Sequence, residues 1–298
     1  MRPPANELGD TRSGLLFALA AYGIWGIAPI YFVWVSFAQP LEVVAHRVVW
    51  GIPLLGLLLL ASGQWRSIKS LAPSAFGYLL VSALCLSINW LTFIYAVQTE
   101  RIAEASLGYF IIPLVSVVLG WLFLREQLRP LQWLAVALAL VGVCSELWVR
   151  TNLPWLGLTL ALSFGLYGLL RKQVNVGAVV GLSIETAVVA PFAIGFLFWL
   201  SLQGDARDLG AVLSLGLGGL ITVVPLICFA AAAMRLPLTT LGFVQYLSPS
   251  CALMLAIFVY GEVVPAGRWV TFALIWGALI LFSCEGFYRY RKQRQRPE

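Results

Sequence analysis

Apolar positions fill this chain in runs of about 20 residues, the length a helix needs to cross about 30 Å of hydrocarbon. The runs cover about 14–37, 42–62, 74–97, 103–124, 130–149, 154–170, 179–200, 211–233, 238–260 and 266–287. They are continuously apolar rather than alternating, which excludes the strands of a membrane barrel and predicts ten transmembrane helices. The sixth run is short and predicts a weaker or tilted span. Turn chemistry fills the breaks: Gln39-Pro40, Arg129-Pro130, Asn152-Leu153-Pro154 and Gly204-Asp205. The first run is too long for the core of a signal peptide and lacks a small-residue cleavage site, so it predicts a retained span.

A repeat lies within this pattern. Gly23-Ile24-Trp25-Gly26 matches Gly165-Leu166-Tyr167-Gly168, and Ala96, Arg101 and Leu107-Gly108-Tyr109 match Ala230, Arg235 and Leu241-Gly242-Phe243. Pro113, Glu126 and Trp133 match Pro249, Glu262 and Trp269, while Arg47 and Pro53 match Glu185 and Pro191. Each half then holds five spans. Five is odd, so the second half enters the membrane upside down. The expected fold class is all-α integral membrane, with ten helices as two inverted five-helix repeats. Its parts are an N-terminal segment (1–13), a first repeat (14–149), a second repeat (154–287) and a basic tail (288–298). Inverted repeats are the architecture of alternating-access transporters, with solute bound near the midplane between the halves.

Composition sharpens the class. Of 298 residues, 61% are hydrophobic and 11% charged, against about 25% charged in ordinary soluble domains. A soluble enzyme, a nucleic-acid reader and a disordered chain are excluded on these grounds. The net charge of +6 is uneven. Arg289, Arg291, Lys292, Arg294 and Arg296 crowd the tail, where a basic run beside a membrane span marks the cytoplasmic side rather than nucleic-acid binding. Elsewhere nine Lys and Arg fall on the side of the N-terminus and four on the other, which predicts that both termini face the cytoplasm. Trp34, Trp65, Trp148 and Trp199 sit at run ends and predict an interfacial belt. Cys85, Cys144, Cys228, Cys251 and Cys284 lie in apolar runs without CxxC spacing and predict buried free thiols. One histidine cannot build a Cys/His metal cluster, and no GxxxxGK[ST] loop is present, so neither a metal nor another cofactor is expected.

Ionisable groups inside spans cost about 2.5–3.5 kcal/mol each on insertion scales and usually face the bundle interior. Helix rise places His46, Arg47, Asn89 and Tyr109 in one outer layer, and Glu185, Gln245 and Tyr246 in one inner layer. Arg47 and Glu185 then stand roughly 13 Å apart along the membrane normal, too far for a direct ion pair without tilting. The expectation is two half-sites flanking a central cavity. Arg47, Asn89 and Tyr109 bind solute in one, and Glu185, Gln245 and Tyr246 in the other. His46 and Glu185 are the candidates for proton coupling. Trp25, Trp90, Tyr109, Tyr167 and Tyr246 are candidate cavity aromatics. Structural readings stand beside these. Arg47 pairs with Glu42 or Glu104 in one of them, and Asn89 and Gln245 simply tie helices together in another. Gly108 and Pro113 are expected to open the fourth span locally.

Several stretches also resemble a known family: Ala45-His46-Arg47-Val48-Val49-Trp50, Asn89 through Val97, Glu104 through Ile111, Tyr167 through Lys172, and Leu241 through Tyr246. The chain is similar to the RarD-type EamA permeases of the drug/metabolite transporter superfamily, from about residue 12 to 290. Ile112 and Arg125 depart from the family pattern, which carries Asn before Pro113 and Gly or Lys before Glu126. The resemblance implies two EamA repeats in the inner membrane and translocation of a small drug or metabolite. Its expected partners are therefore a small-molecule substrate and membrane lipids. Alternatives within the residues' own reading are an uncoupled metabolite exchanger and a membrane-embedded enzyme acting on a lipid. The latter usually needs clustered Asp or His at a membrane face, and the loops here offer mainly Arg125-Glu126 and Arg171-Lys172.

Overall fold

The computed structural model describes residues 5–99, 101–148, 154–174, 176–204, 207–261, 264 and 266–294. Among these residues every regular element is a helix. The order is α1 (Ala5–Trp34), α2 (Pro40–Ala61), α3 (Trp65–Lys69), α4 (Pro73–Gln98), α5 (Ile102–Leu124), α6 (Pro130–Trp148), α7 (Trp155–Gln173), α8 (Ala178–Leu202), α9 (Leu209–Arg235), α10 (Leu238–Gln245), α11 (Leu247–Phe258) and α12 (Ala266–Arg294). Eight helical stretches among the described residues are long and apolar enough to cross a membrane, one of them running through α10 and α11. The fifth apolar run forms a shorter apolar helix, Pro130–Glu146, and the sixth forms α7, which is not among the eight. The chain is an all-helical, multi-pass membrane protein.

Local chemistry sets the helix ends. Proline opens α2, α4 and α6, where its missing N–H is no loss. Asp208 caps α9, accepting from Ala211 N at 2.8 Å. Arg125 stops α5 in a left-handed conformation at φ 54°, the one non-glycine with positive φ among the described residues. Three features differ from the sequence reading. First, α1 begins at Ala5, so much of the polar opening is helical. Second, α3 is a short helix in what reads as a loop. Third, the ninth run is two helices that meet at Tyr246. Pro249 accounts for that break, because it removes an N–H and its ring clashes with the carbonyl four residues back, at Gln245. Pro113 does not open α5, which runs unbroken past it.

Loops collect at two ends. At one end, which we call the basic end, Arg235 pairs with Asp10 at 2.9 Å and Arg129 with Glu285 at 2.9 Å. Lys172 donates to the carbonyls of Ala233 and Leu236 there. At the opposite end Arg207 grips Glu42 through two bonds of 2.9 and 2.8 Å, and Arg101 pairs with Glu104 at 2.5 Å. Within the bundle α1 packs on α9 and α11, α7 on α4 and α5, and α2 on α8 and α9. In addition α4 packs on α8, α5 on α10, and α6 on α12. Glycine lets several of these helices meet backbone to backbone. A Cβ at Gly219 would stand 2.9 Å from the Trp50 backbone, and one at Gly242 2.8 Å from the Pro113 carbonyl. Most large side chains on the outer surface are apolar and exposed, including Leu60, Phe192, Phe198 and Trp199. Trp34 and Trp65 are exposed near helix ends as a belt requires, while the Trp148 side chain lies outside the description. All five cysteines are free, but Cys144 and Cys284 are exposed rather than buried, because they fall on outward faces of α6 and α12.

Candidate functional site

Arg47 lies two turns into α2, where four helices converge. Its Nε donates to Thr222 Oγ1 on α9 at 2.6 Å, and that hydroxyl in turn donates to the Gly218 carbonyl at 2.7 Å. The guanidinium rests 5.4 Å from the ring of Phe32 on α1 and 5.4 Å from that of Trp90 on α4. Gly218 leaves the room: a Cβ there would lie 2.6 Å from Arg47 Cγ. Among the described residues no carboxylate stands within 4.0 Å of Arg47. Glu42 is taken by Arg207, and Glu104 by Arg101 and the Leu156 N–H, so neither is the counter-ion entertained from sequence. Tyr109 on α5 is within electrostatic reach of Arg47. Its side chain is 41% exposed, and it is not in the lining of the cavity described next.

A narrow cavity runs inward from Arg47 between α2, α4, α8 and α9, and reaches Glu185. Val48, Ala83, Leu86, Leu182 and Val223 are among its apolar lining. Its free volume is about 10 Å³, the space of one water. At its far end Glu185, 1% exposed, accepts from Ser82 Oγ at 2.5 Å and from Tyr167 OH at 3.4 Å. Arg171 Nη1 lies 3.7 Å away, and Arg171 is itself 0% exposed. Gly181 provides its berth, since a Cβ there would collide with the guanidinium. Beyond Glu185, towards the basic end, the rings of Tyr22, Trp25, Phe164, Tyr167 and Phe229 close the interior. Tyr167 and Phe229 stack at 5.5 Å.

The structure therefore groups the sequence candidates differently from the expectation. Arg47 and Glu185 share one cavity, with no ion pair between them, instead of heading separate half-sites. Asn89 neighbours Trp90 but gives its amide to the Leu160 carbonyl at 3.0 Å and to Ser163 Oγ at 3.1 Å, which ties α4 to α7. Gln245 and Tyr246 are not in the lining beside Glu185. Gln245 Oε1 accepts from Tyr22 OH at 3.4 Å, and Tyr246 OH donates to the Phe110 carbonyl at 3.2 Å. His46 is partly buried next to Arg47, and its Nδ1 has no hydrogen-bond partner. Arg171 is the residue sequence reasoning missed: it was placed with the loop cations. The available signal was the buried Glu185, which demands a cation nearby. Glu262 lies outside the described residues.

An interior arginine with no carboxylate beside it, a membrane-spanning helix bundle and a cavity among α2, α4, α8 and α9 define a class, the polytopic membrane proteins. Comparison with known proteins makes that concrete. The EamA-like transporter family matches residues 12–145. An uncharacterized transporter of Vibrio cholerae is 45% identical over 284 residues, covering 93% of this chain and 94% of that one. Protein RarD of Salmonella typhi is 45% identical over 290 residues, covering 95% and 99%. The chain belongs to the EamA-like transporter family, as a RarD-type member. A solved crystal structure superposes with a TM-score of 0.70 at 17% identity, covering 91% of this chain and 96% of that one, and shares the fold. Family and relatives' names point to transport rather than catalysis.

Proposed function

We propose that this chain is a secondary transporter of the bacterial inner membrane, built as ten spans in two inverted five-helix repeats. It moves a small solute by alternating access. The observation that carries this is the packing. On exchange of α1, α2, α4, α5 and α6 with α7, α8, α9, α10–α11 and α12, each major contact maps onto another. Thus α1 on α9 becomes α7 on α4, α2 on α9 becomes α8 on α4, and α5 on α7 becomes α10–α11 on α1. The pairs α2–α8, α5–α10 and α6–α12 map onto themselves. Such a bundle has two equivalent ways to close. In this reading the exposed Tyr109 lies on the side open to the outside, and the aromatic cluster at Phe229 closes the side of the termini, which face the cytoplasm.

Cysteine accessibility tests this reading. In a variant lacking the five native cysteines, Tyr109→Cys and Phe229→Cys are probed with an impermeant maleimide from either face of membrane vesicles. The expected result is labelling of Tyr109→Cys from the outer face and of Phe229→Cys from the inner face. Conditions that speed one should slow the other. Labelling of both from the same face overturns alternating access. Within this reading Glu185, with His46 as the second candidate, exchanges the coupling proton. Transport by Glu185→Gln is then expected to lose its response to an imposed pH gradient, and an unchanged response excludes Glu185.

A further inference from the structure

We propose that Arg47 is the receptor for a flat organic monocarboxylate: its guanidinium, held by Thr222 between Phe32 and Trp90, meets the carboxylate, and the cavity mouth and Tyr109 meet the ring. The proposal rests on the transport reading above and names its substrate class.

The argument starts from an imbalance. Arginine carries five N–H donors in a rigid fork, and Thr222 uses one of them. The terminal amino groups have no protein acceptor among the described residues, and they are not among the occluded, unsatisfied atoms of the interior, so they face open space. The fully buried cation near the far end of this cavity, Arg171, has a carboxylate at hand in Glu185. Arg47 has none, although a charge in this setting is costly to leave unpaired. What is missing is an acceptor with two oxygens in the plane of the fork, which is the geometry of a carboxylate.

Charge fixes the rest. Arg47 is the single cation in the cavity lining, and the far end of that lining carries Glu185. One guanidinium neutralises a monoanion. A phosphate dianion or a dicarboxylate would leave excess negative charge facing Glu185. The remaining surface favours an apolar, planar body. Phe32 and Trp90 flank the guanidinium, the exposed Tyr109 is within its electrostatic reach, and the cavity wall is mostly aliphatic.

The test uses purified full-length protein and four probes of matched shape: benzoate, benzamide, benzylamine and phenyl phosphate. Thermal stabilisation is titrated against each. Benzoate is expected to stabilise, and its neutral, cationic and dianionic counterparts are not. In Arg47→Gln the apparent affinity for benzoate should fall at least about tenfold, while Arg47→Lys retains part of it. Equal responses to benzoate and benzamide overturn the proposal, and so does the absence of any benzoate response. A benzoate response that Arg47→Gln retains overturns it too. The probe comparison needs only wild-type protein, so it decides even where Arg47→Gln fails to fold. The cysteine-accessibility experiment, run on the same protein, separates the two claims. Alternating labelling without carboxylate binding leaves the transport reading standing and removes the substrate class.

Discussion

Arg47 and Arg171 both lie inside the bundle, but they solve the cost of burial differently. Arg47 spreads its charge over a hydroxyl and two rings, whereas Arg171 relies on Glu185 at 3.7 Å. Breaking a buried pair from one side strands a charge and costs about 3–5 kcal/mol, while replacing both partners by apolar groups is close to neutral. Glu185→Leu and Arg171→Met should therefore each lower the thermal midpoint of the purified protein strongly, and the double variant should recover most of the loss. Additive losses in the double variant would show that the two residues do not stabilise each other. Arg47 and Glu185 were legible in the sequence because each interrupts a long apolar run. Arg171 was not, because it sits beside Lys172 at a run's end. Its inward turn depends on the missing side chain of Gly181, on a different helix. Trp90 was a candidate cavity aromatic and lies in the lining, but the commitments of Asn89 to Leu160 and of Gln245 to Tyr22 are tertiary facts that no local pattern carries.

Among the elements, α10 shows how one carboxylate sets a helix start. Glu126, in the α5–α6 turn, accepts from Leu238 N at 2.6 Å, Thr239 N at 2.9 Å and Thr239 Oγ1 at 2.7 Å. Two otherwise orphaned N–H groups are thereby satisfied, and the negative charge meets the positive end of the helix dipole. Lys172 meets the complementary end, on the last carbonyls of α9. The α9–α10 turn is thus pinned from α5 and α7 at once. Glu126→Ala should cost about 1–2 kcal/mol, the range for a lost cap, and Glu126→Gln should cost less because it keeps an acceptor. Thermal unfolding in detergent checks both, and equal midpoints for the three proteins would remove the capping role. The close helix contacts make a sharper case. Gly219→Val would drive a branched side chain into the Trp50 backbone, where nothing flexible can yield, so a severe loss of folded protein is expected on size-exclusion chromatography. Apolar run length located the helices well, but it could not rank two prolines. Pro113 sits inside an unbroken α5 and Pro249 ends α10, and the sequence pattern around both is the same apolar run.

At the scale of the whole molecule, charge decides which mouth faces which compartment. Helix-on-helix packing gives the bundle no preferred orientation. The loops do. Arg66, Lys69, Arg125, Arg129, Lys172 and Arg235 gather at the basic end, while the described cations near the turns of the opposite end are Arg101, Arg207 and Arg268. A bias of that size in short loops retains the richer side in the cytoplasm. The termini belong to that side: Asp10 pairs with Arg235, and Glu285 of α12 with Arg129. A C-terminal green fluorescent protein fusion should therefore fluoresce in cells, and a C-terminal alkaline phosphatase fusion should be inactive. The reverse pattern would invert the molecule, and it would turn Tyr109 and the unpaired Arg47 towards the cytoplasm. The carboxylate receptor would survive that inversion, because it depends on local geometry. The side from which Arg47 is reached would not. Orientation is thus the measurement that converts a binding site into a vector.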